Sequence, residues 1–230
     1  MSLAEDLKSE VGKILAEKWT ERDGAVVPES ADIGLGNDCT RLDAAVLYAD
    51  IRRSTDLVDK YDPKFAAEVY KSFLHCAAKI VRSEGGVITA YDGDRIMAVW
   101  LGKTRCNQAV TAALRINYAR ANIILPAIRA RYSGSPDFTF THTSGVDTSR
   151  LLVARTGVRG ANDLVWVGRA ANHAARMCEL PNYSTRISND VFIALTDAER
   201  LDDKKAMIWT DDKGTVEGRP AYGSNHWLGM

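Results

Sequence analysis

One short stretch in the first half of the chain restricts the fold most, because a strand, a long helix and a hairpin follow one another there. Residues 44–49 form an unbroken apolar run, as in a buried central strand, and Asp50 stops it. Residues 62–81 begin with an Asp-Pro pair, which is typical of a helix start, and then have apolar side chains every three or four positions. Two β-rich runs, 87–91 and 95–101, then enclose an Asp-Gly-Asp turn. This order predicts a sheet in which the first strand lies beside the hairpin.

The remainder of the chain completes a β-α-β-β-α-β order. A second long helix is predicted from Thr104 until Pro126 interrupts it, and strands are predicted over 138–147 and 164–167. An Ala-rich helix is predicted over 169–180. The tail is predicted to hold a strand near Ile187, a helix over 189–200 and β-like stretches near Ile208 and His226-Trp227. The expected fold class is α+β, with helices packed on a mainly antiparallel sheet.

The N-terminal segment has a different pattern. Residues 1–22 predict an amphipathic helix that is an appendage or a dimer contact, and residues 24–38 predict an irregular linker. We therefore divide the chain into an N-terminal helix and linker, 1–40, and one large domain, 41–230.

Composition excludes several classes of protein. The 30 basic and 30 acidic residues balance, which argues against a nucleic-acid-binding protein, since such proteins carry a basic excess. The start of the chain is charged, and no apolar run approaches the roughly 20 residues that cross a bilayer, so we expect a cytoplasmic protein without membrane attachment. The four cysteines lack CxxC pairing, so we expect reduced, structural thiols.

Asp50 and Asp94 are the candidate metal-binding residues. Asp50 ends the first strand and Asp94 lies in the hairpin turn, so in the predicted fold both carboxylates can meet at one edge of the sheet. Carboxylate oxygens suit Mg²⁺ or Mn²⁺, and a pair of such ions serves in-line phosphoryl transfer. Taken separately, Asp50 can simply end a strand and Asp94 can simply make a turn.

Asn172 and Arg176 form a second candidate pair, because residues four apart share one helix face. An amide beside a guanidinium suits a site that orients a sugar and neutralises phosphate charge, although such pairs also occur on solvated helix faces. The chain has no GxxxxGK[ST] phosphate loop, no GxGxxG after the first strand and no GxSxG elbow. The four histidines show no metal-pair spacing and are expected to be structural or at the surface: His75, His142, His173 and His226.

Three motifs together resemble the class III nucleotidyl cyclases: residues 46–55, 85–98 and 167–176. The resemblance implies a ferredoxin-like βααββαβ core and a head-to-tail homodimer with two composite sites. It also implies two divalent ions, Mn²⁺ or Mg²⁺, held by Asp50, Asp94 and the main-chain carbonyl of Ile51.

The resemblance implies roles for further residues. Main-chain amides of the turn after Asp50 would hold the β- and γ-phosphates, and Lys213 would contact the terminal phosphate. From the partner chain, Asn172 would position the ribose and Arg176 would stabilise charge at the α-phosphorus. The implied reaction is attack of the ribose 3′-hydroxyl on the α-phosphate of a nucleoside triphosphate, which releases pyrophosphate. The predicted phosphate turn consists of Arg53, Ser54 and Thr55.

The residues at the base-reading positions depart from the purine pattern. Ala90 and Val165 stand where purine cyclases have polar side chains, and neither can hydrogen-bond to a base. Tyr48 lies two residues before Asp50, so it points to the same face of the strand. Arg155 stands where many cyclases have a glycine. These features resemble the bacterial pyrimidine cyclases of antiphage cyclic-nucleotide signalling.

The expected product is therefore cyclic UMP or cyclic CMP, with UTP slightly favoured over CTP as the substrate. The resemblance further implies a separately encoded effector protein that responds to the product. Two other hypotheses stay open: a purine cyclase that selects its base through main-chain contacts, and a catalytically silent nucleotide-binding module.

Overall fold

The computed structural model describes residues 2–132, 134, 137–158, 160–212, 216 and 218–230. Its helices are α1 Leu3–Ala16, α2 Ser54–Lys60, α3 Pro63–Ser83, α4 Arg105–Ala119, α5 Leu125–Arg131, α6 Arg169–Glu179, α7 Asn189–Ala194 and α8 Asp197–Arg200. Its strands are β1 Thr20–Asp23, β2 Asp38–Arg52, β3 Val87–Asp92, β4 Arg95–Leu101, β5 Thr141–Val158, β6 Ala161–Val167, β7 Thr185–Ser188, β8 Thr210–Asp211 and β9 Ala221–Ser224. A π-helical turn, Arg120–Ile124, joins α4 to α5.

All of these strands belong to one sheet, with β2 near its centre. The strand order is β3-β4-β2-β5-β7-β9-β8, while β1 pairs with the beginning of β2 and β6 pairs with the second half of β5. Among the strand pairs of the described residues, only β1–β2 and β5–β7 are parallel. The predicted α+β class with a mainly antiparallel sheet is confirmed. No helix in the described ranges is both long and apolar enough to span a bilayer.

Residues 44–49 of β2 are apolar because both faces of this part of the strand are covered. Leu47, Ala49 and Ile51 belong to the larger core, under α3 and α4. Ala44 and Val46 point to the other face, where the alanines of α6 pack against them. Period-two alternation therefore places Tyr48 and Asp50 on the α6 face.

One N-terminal prediction needs correction. The first helix ends at Ala16, because Glu17 is already extended, and Thr20–Asp23 forms a strand that pairs with β2. Asn37 stabilises this arrangement by donating from Nδ2 to the carbonyls of Ile14 and Glu17, at 2.7 Å each. The predicted helix over residues 1–22 is thus too long, since tertiary pairing recruits its last residues into the sheet.

Three predictions in the second half also differ from the structure. The helix predicted over 189–200 is two short helices, because Leu195 is extended between them. Residues 226–227 form no strand, and the tail strand that pairs with β7 is Ala221–Ser224. Pro126 does not end the second long helix but lies in the first turn of α5, where a missing N–H costs nothing.

Candidate active site

The two candidate metal-binding carboxylates meet where β2 ends and the β3–β4 hairpin turns. Asp50 Oδ2 accepts hydrogen bonds from Arg95 Nη2 at 3.1 Å and from Arg95 Nε at 3.3 Å. Asp94 Oδ2 is buried and has no hydrogen-bond partner in the described chain. Burial raises the pKa of the Asp50 carboxyl above its ordinary value, and the negative charge of Asp94 raises it further, while Arg95 opposes both effects.

This arrangement suits a divalent cation. Two neighbouring carboxylates in a partly buried position repel each other, and a bound cation relieves that repulsion. The described residues contain no cluster of three or more acidic, histidine or cysteine side chains, so two carboxylates are the side-chain ligands that this position could offer. The Ile51 side chain is buried in the core, so this residue could contribute only its main-chain carbonyl.

Tyr48 and Ala90 share a face of the sheet with these carboxylates. Ala90 pairs with Met97 across the hairpin, and Met97 pairs with Tyr48 across β2 and β4, so all three side chains point to the same side. The Tyr48 ring is half-buried, with the Arg95 guanidinium carbon 6.0 Å from its centroid. Burial raises the pKa of the Tyr48 phenol, so the ring stays neutral. An aromatic ring and a small exposed side chain therefore lie on the carboxylate side.

The turn after Asp50 is a sharp entry into α2. Arg53 has a left-handed backbone, with φ of 54°, and its exposed side chain forms an ion pair with Asp56 at 2.7 Å. The helix begins at Ser54, so the amides of Ser54 and Thr55 belong to its first turn, which has no intrahelical acceptors. This turn is the predicted phosphate-binding turn.

Asn172 and Arg176 lie together on the exposed side of α6. The opposite side of the helix, which includes Ala170, Ala174 and Met177, is buried against the sheet. Arg176 forms an ion pair with Glu179 at 3.1 Å, and no hydrogen bond joins Asn172 to either carboxylate in the described part of the chain. A single chain thus presents these two side chains outward rather than completing the site with them.

The other two predicted substrate-binding residues are also separate from the carboxylates. Val165 lies on the outward face of β6, 38% exposed, between the half-buried Leu164 and Trp166. Lys213 lies outside the described residues.

A buried network under α6 went unrecognised as a functional feature in the sequence. Asp147, on β5, is fully buried and lies 3.1 Å from His173 Nδ1 and 3.3 Å from Arg169 Nε. Although burial opposes it, hydrogen bonds from His173, Ser188 and the Thr148 amide lower the pKa of Asp147. Arg169 and His173 are four residues apart on α6, and this spacing is the only signal that points to a shared anchor.

Curated relatives cover almost the whole chain. A uridylate cyclase of Xanthomonas perforans is 42% identical over 226 residues, which is 98% of this chain and 97% of the relative. A uridylate cyclase of Burkholderia cepacia is 48% identical over 199 residues, 86% of each chain. The chain belongs to this cyclase family. A third member, from Rhodovulum sp., is 30% identical over 239 residues, 99% of this chain and 98% of its own.

Solved structures agree on the fold of this family. The adenylyl cyclase CyaB of P. aeruginosa superimposes with a TM-score of 0.66 at 20% identity, over 81% of this chain and 95% of its own. The guanylyl cyclase Cya2 gives 0.64 at 18% identity, over 82% and 94%. No protein-family model matches the chain. The protein is therefore a nucleotidyl cyclase of the class III fold, as its three motifs predicted.

Proposed function

We propose that this protein converts UTP to 3′,5′-cyclic UMP and pyrophosphate. The observation that carries the proposal is the 42% identity to a uridylate cyclase over 98% of the chain. The pairing of Asp50 and Asp94 at one edge of the sheet supports it, because a silent relative need not keep both carboxylates.

The chain's own residues divide the chemistry between binding and charge stabilisation. Asp50 and Asp94, with the Ile51 carbonyl, hold two divalent ions, Mn²⁺ or Mg²⁺. When bound, such ions activate an attacking hydroxyl and neutralise phosphate charge. Asn172 of the second subunit orients the ribose so that its 3′-hydroxyl lies in line with the α-phosphorus. Arg176 of the second subunit stabilises the charge that develops on the α-phosphate oxygens, and the turn Arg53–Thr55 holds the leaving pyrophosphate.

We attribute base selection to the absence of hydrogen-bonding side chains at two positions of the base pocket. Ala90 and Val165 present no hydrogen-bonding groups, so they offer a purine edge no matched contact. The Tyr48 ring occupies space on the carboxylate face, which favours the smaller pyrimidine ring. The relatives' activity then favours UTP over CTP.

The proposal extends to the surroundings of the reaction. Residues 41–230 form most of the catalytic unit, residues 1–40 supply α1, β1 and the start of β2, and two chains assemble head to tail. We place the protein in the cytoplasm, with no stable nucleic-acid or membrane partner. Cyclic UMP then acts as a messenger in antiphage defence by activating a separate effector protein, and Lys213 contacts the terminal phosphate.

A four-nucleotide assay tests the proposal. Purified protein is incubated with Mn²⁺ or Mg²⁺ and, separately, with ATP, GTP, CTP and UTP, and the products are resolved by mass spectrometry. Cyclic UMP as the main product supports the proposal. If cyclic CMP is the main product, the substrate is CTP and the enzyme is still a pyrimidine cyclase. Cyclic AMP or cyclic GMP as the main product supports the purine-cyclase hypothesis. Absence of any cyclic product supports the catalytically silent module.

A further inference from the structure

A cationic cavity lies at the end of the sheet, just beyond the carboxylate pair. It has a volume of about 370 Å³ and lies between the end of β2, the start of β5 and the loop from α6 to β7. Three arginines line it, Arg52, Arg53 and Arg120, and no acidic side chain is present among the described lining residues. Such a concentration of positive charge favours an anionic ligand.

Arg120 is the strongest indication of a ligand. It lies in the π-helical turn, a type of irregularity that often marks functional sites. Its Nε is buried without a partner, and its Nη2 donates only to the Asn117 side chain, at 3.3 Å. No carboxylate lies within ion-pair distance of it in the described chain. Burial lowers the pKa of Arg120, as expected for a cation whose counter-charge is missing.

His142 supplies a second, independent indication. Its side chain is 2% exposed and lines the cavity, yet both ring nitrogens lack hydrogen-bond partners in the described chain. In either neutral tautomer one of these nitrogens is a donor. Buried polar groups are rarely left unpaired, so this ring also lacks a partner that a ligand would supply.

Arg52 and Arg53 contribute differently. Arg52 donates from Nη1 to the Leu180 carbonyl at 3.0 Å, which holds its guanidinium over the cavity with other N–H groups still available. Arg53 is 74% exposed in its side chain and paired with Asp56, so it lies at the rim. The interior therefore offers guanidinium N–H groups from two directions and an imidazole from a third.

We propose that this cavity is an oxyanion site for a phosphate-bearing ligand. Guanidinium groups bind phosphate through paired N–H donors, and a tetrahedral anion can accept from several directions at once. Arg52 is two residues beyond Asp50 on β2, about 7 Å along the strand. The phosphate therefore belongs either to the tail of a nucleotide bound at the carboxylates or to a separate small molecule. This phosphate site is inferred from the cavity alone and does not depend on the proposed cyclase activity.

The test measures pyrophosphate binding without metal or nucleotide. Isothermal calorimetry in EDTA, with pyrophosphate and then inorganic phosphate, compares the wild type with Arg120→Met, Arg120→Lys and the control Arg131→Met. Arg131 is exposed on α5 outside the cavity, and its substitution changes the net charge equally. We expect Arg120→Met to weaken pyrophosphate binding at least tenfold, Arg120→Lys to recover part of it, and Arg131→Met to leave it unchanged.

The melting temperatures of the same variants show whether weaker binding results from a loss of folding. Arg120→Met removes a half-buried charge that has no carboxylate partner in the described chain, so without ligand it should melt at or above the wild-type temperature. If it does not fold, Arg52→Met takes its place. Absence of pyrophosphate binding to the wild type, or equal binding by Arg120→Met and the wild type, overturns the proposal.

A final measurement distinguishes the two sources of phosphate. A non-hydrolysable UTP analogue is added with Mn²⁺ before pyrophosphate. If the analogue prevents pyrophosphate binding, the site holds the phosphate tail of the nucleotide, and Arg120→Met should then also raise the KM for UTP. If both bind at once, the site holds a separate ligand. Failure of the cyclase assay with intact pyrophosphate binding overturns the proposed function alone.

Discussion

At the residue scale, Asp94 stands out because its buried carboxylate oxygen lacks a partner among the described residues, while its neighbour Asp50 is paired with Arg95. The sequence placed both carboxylates at one edge of the sheet, and the structure agrees. The sequence did not predict the ion pair to Arg95, because a residue next to a turn can point to either face until the register is fixed.

Substitution of Asp94→Asn removes one metal ligand and also the repulsion with Asp50. We expect turnover to fall to background and the thermal rise produced by Mn²⁺ to disappear. Melting without metal should stay the same or rise, since a like-charge contact is lost. The control is Asp43→Asn, which changes an exposed carboxylate on β2, the strand that carries Asp50. Wild-type turnover in Asp94→Asn contradicts the metal assignment.

His142 makes a separate prediction about pH. Burial, and secondarily the charge of Arg120, lowers the pKa of His142 to about 3 from 6.5. Between these values the unfolded chain binds a proton that the folded chain does not, so stability falls as pH decreases from 6.5 towards 3. The slope from this one group is about 1.4 kcal/mol per pH unit.

The variant His142→Phe removes that group and keeps an aromatic ring beside Phe73, whose centroid is 5.5 Å away. Urea unfolding at several pH values below 6.5 should show a shallower loss of stability than in the wild type. Parallel pH profiles for the two proteins contradict the assignment of a neutral, buried His142.

At the element scale, α6 is the helix whose placement matters most for the proposed site, because it carries Asn172 and Arg176 outward. Two features of β5 fix it. The 3.1 Å contact between Asp147 and His173 Nδ1 anchors the helix, and Gly145 lets it approach closely, since a Cβ there would lie 2.2 Å from the Ala174 carbonyl oxygen. The sequence predicted the helix itself but not these anchors, which lie 20 or more residues away along the chain.

Gly145→Ala should therefore displace α6. Overpacking of this kind typically costs about 1–3 kcal/mol, and we expect kcat to fall by more than the loss of folded protein explains. Gly12→Ala is the matched control, because nothing lies within 4 Å of a Cβ at that exposed position of α1. Alanine there should stabilise the helix by about 0.5–1 kcal/mol. Measurements of melting temperature and cyclase rate on both variants check the prediction, and wild-type kcat in Gly145→Ala rejects it.

At the scale of the whole molecule, one chain leaves the proposed site incomplete. Its carboxylates lie at one edge of the sheet, while Asn172 and Arg176 point outward from α6, so in the proposed dimer each chain supplies these two groups to the site of the other. Two inactive variants can then restore activity together, because a mixed dimer keeps one intact site.

Asp94→Asn and Asn172→Ala should each be inactive alone. Mixed in equal amounts after dissociation and reassembly, they should recover about a quarter of wild-type activity, since half of the dimers are mixed and each has one of two sites intact. Asp94→Asn mixed with Asp50→Asn is the control and should recover none, because both changes damage the same half of the site. Equal recovery in the two mixtures contradicts the composite arrangement.

Local sequence determined much of this protein. The apolar run before Asp50, the Asp-Pro start of α3 and the Asp-Gly-Asp turn each predict their element from neighbouring residues, because helix and strand periodicity are short-range properties. Together with three short motifs they were sufficient to predict the fold class and the cyclase family.

Tertiary structure alone decided the rest. Arg52, Arg120 and His142 are up to 90 positions apart and meet only because β2 pairs with β5 and the π-helical turn packs beside them. The conversion of residues 20–23 from predicted helix to strand has the same origin, since pairing with β2 overrides a weak local preference. Burial, charge compensation and cavity shape depend on which distant segments of the chain contact each other. Local sequence patterns contain no information about those contacts.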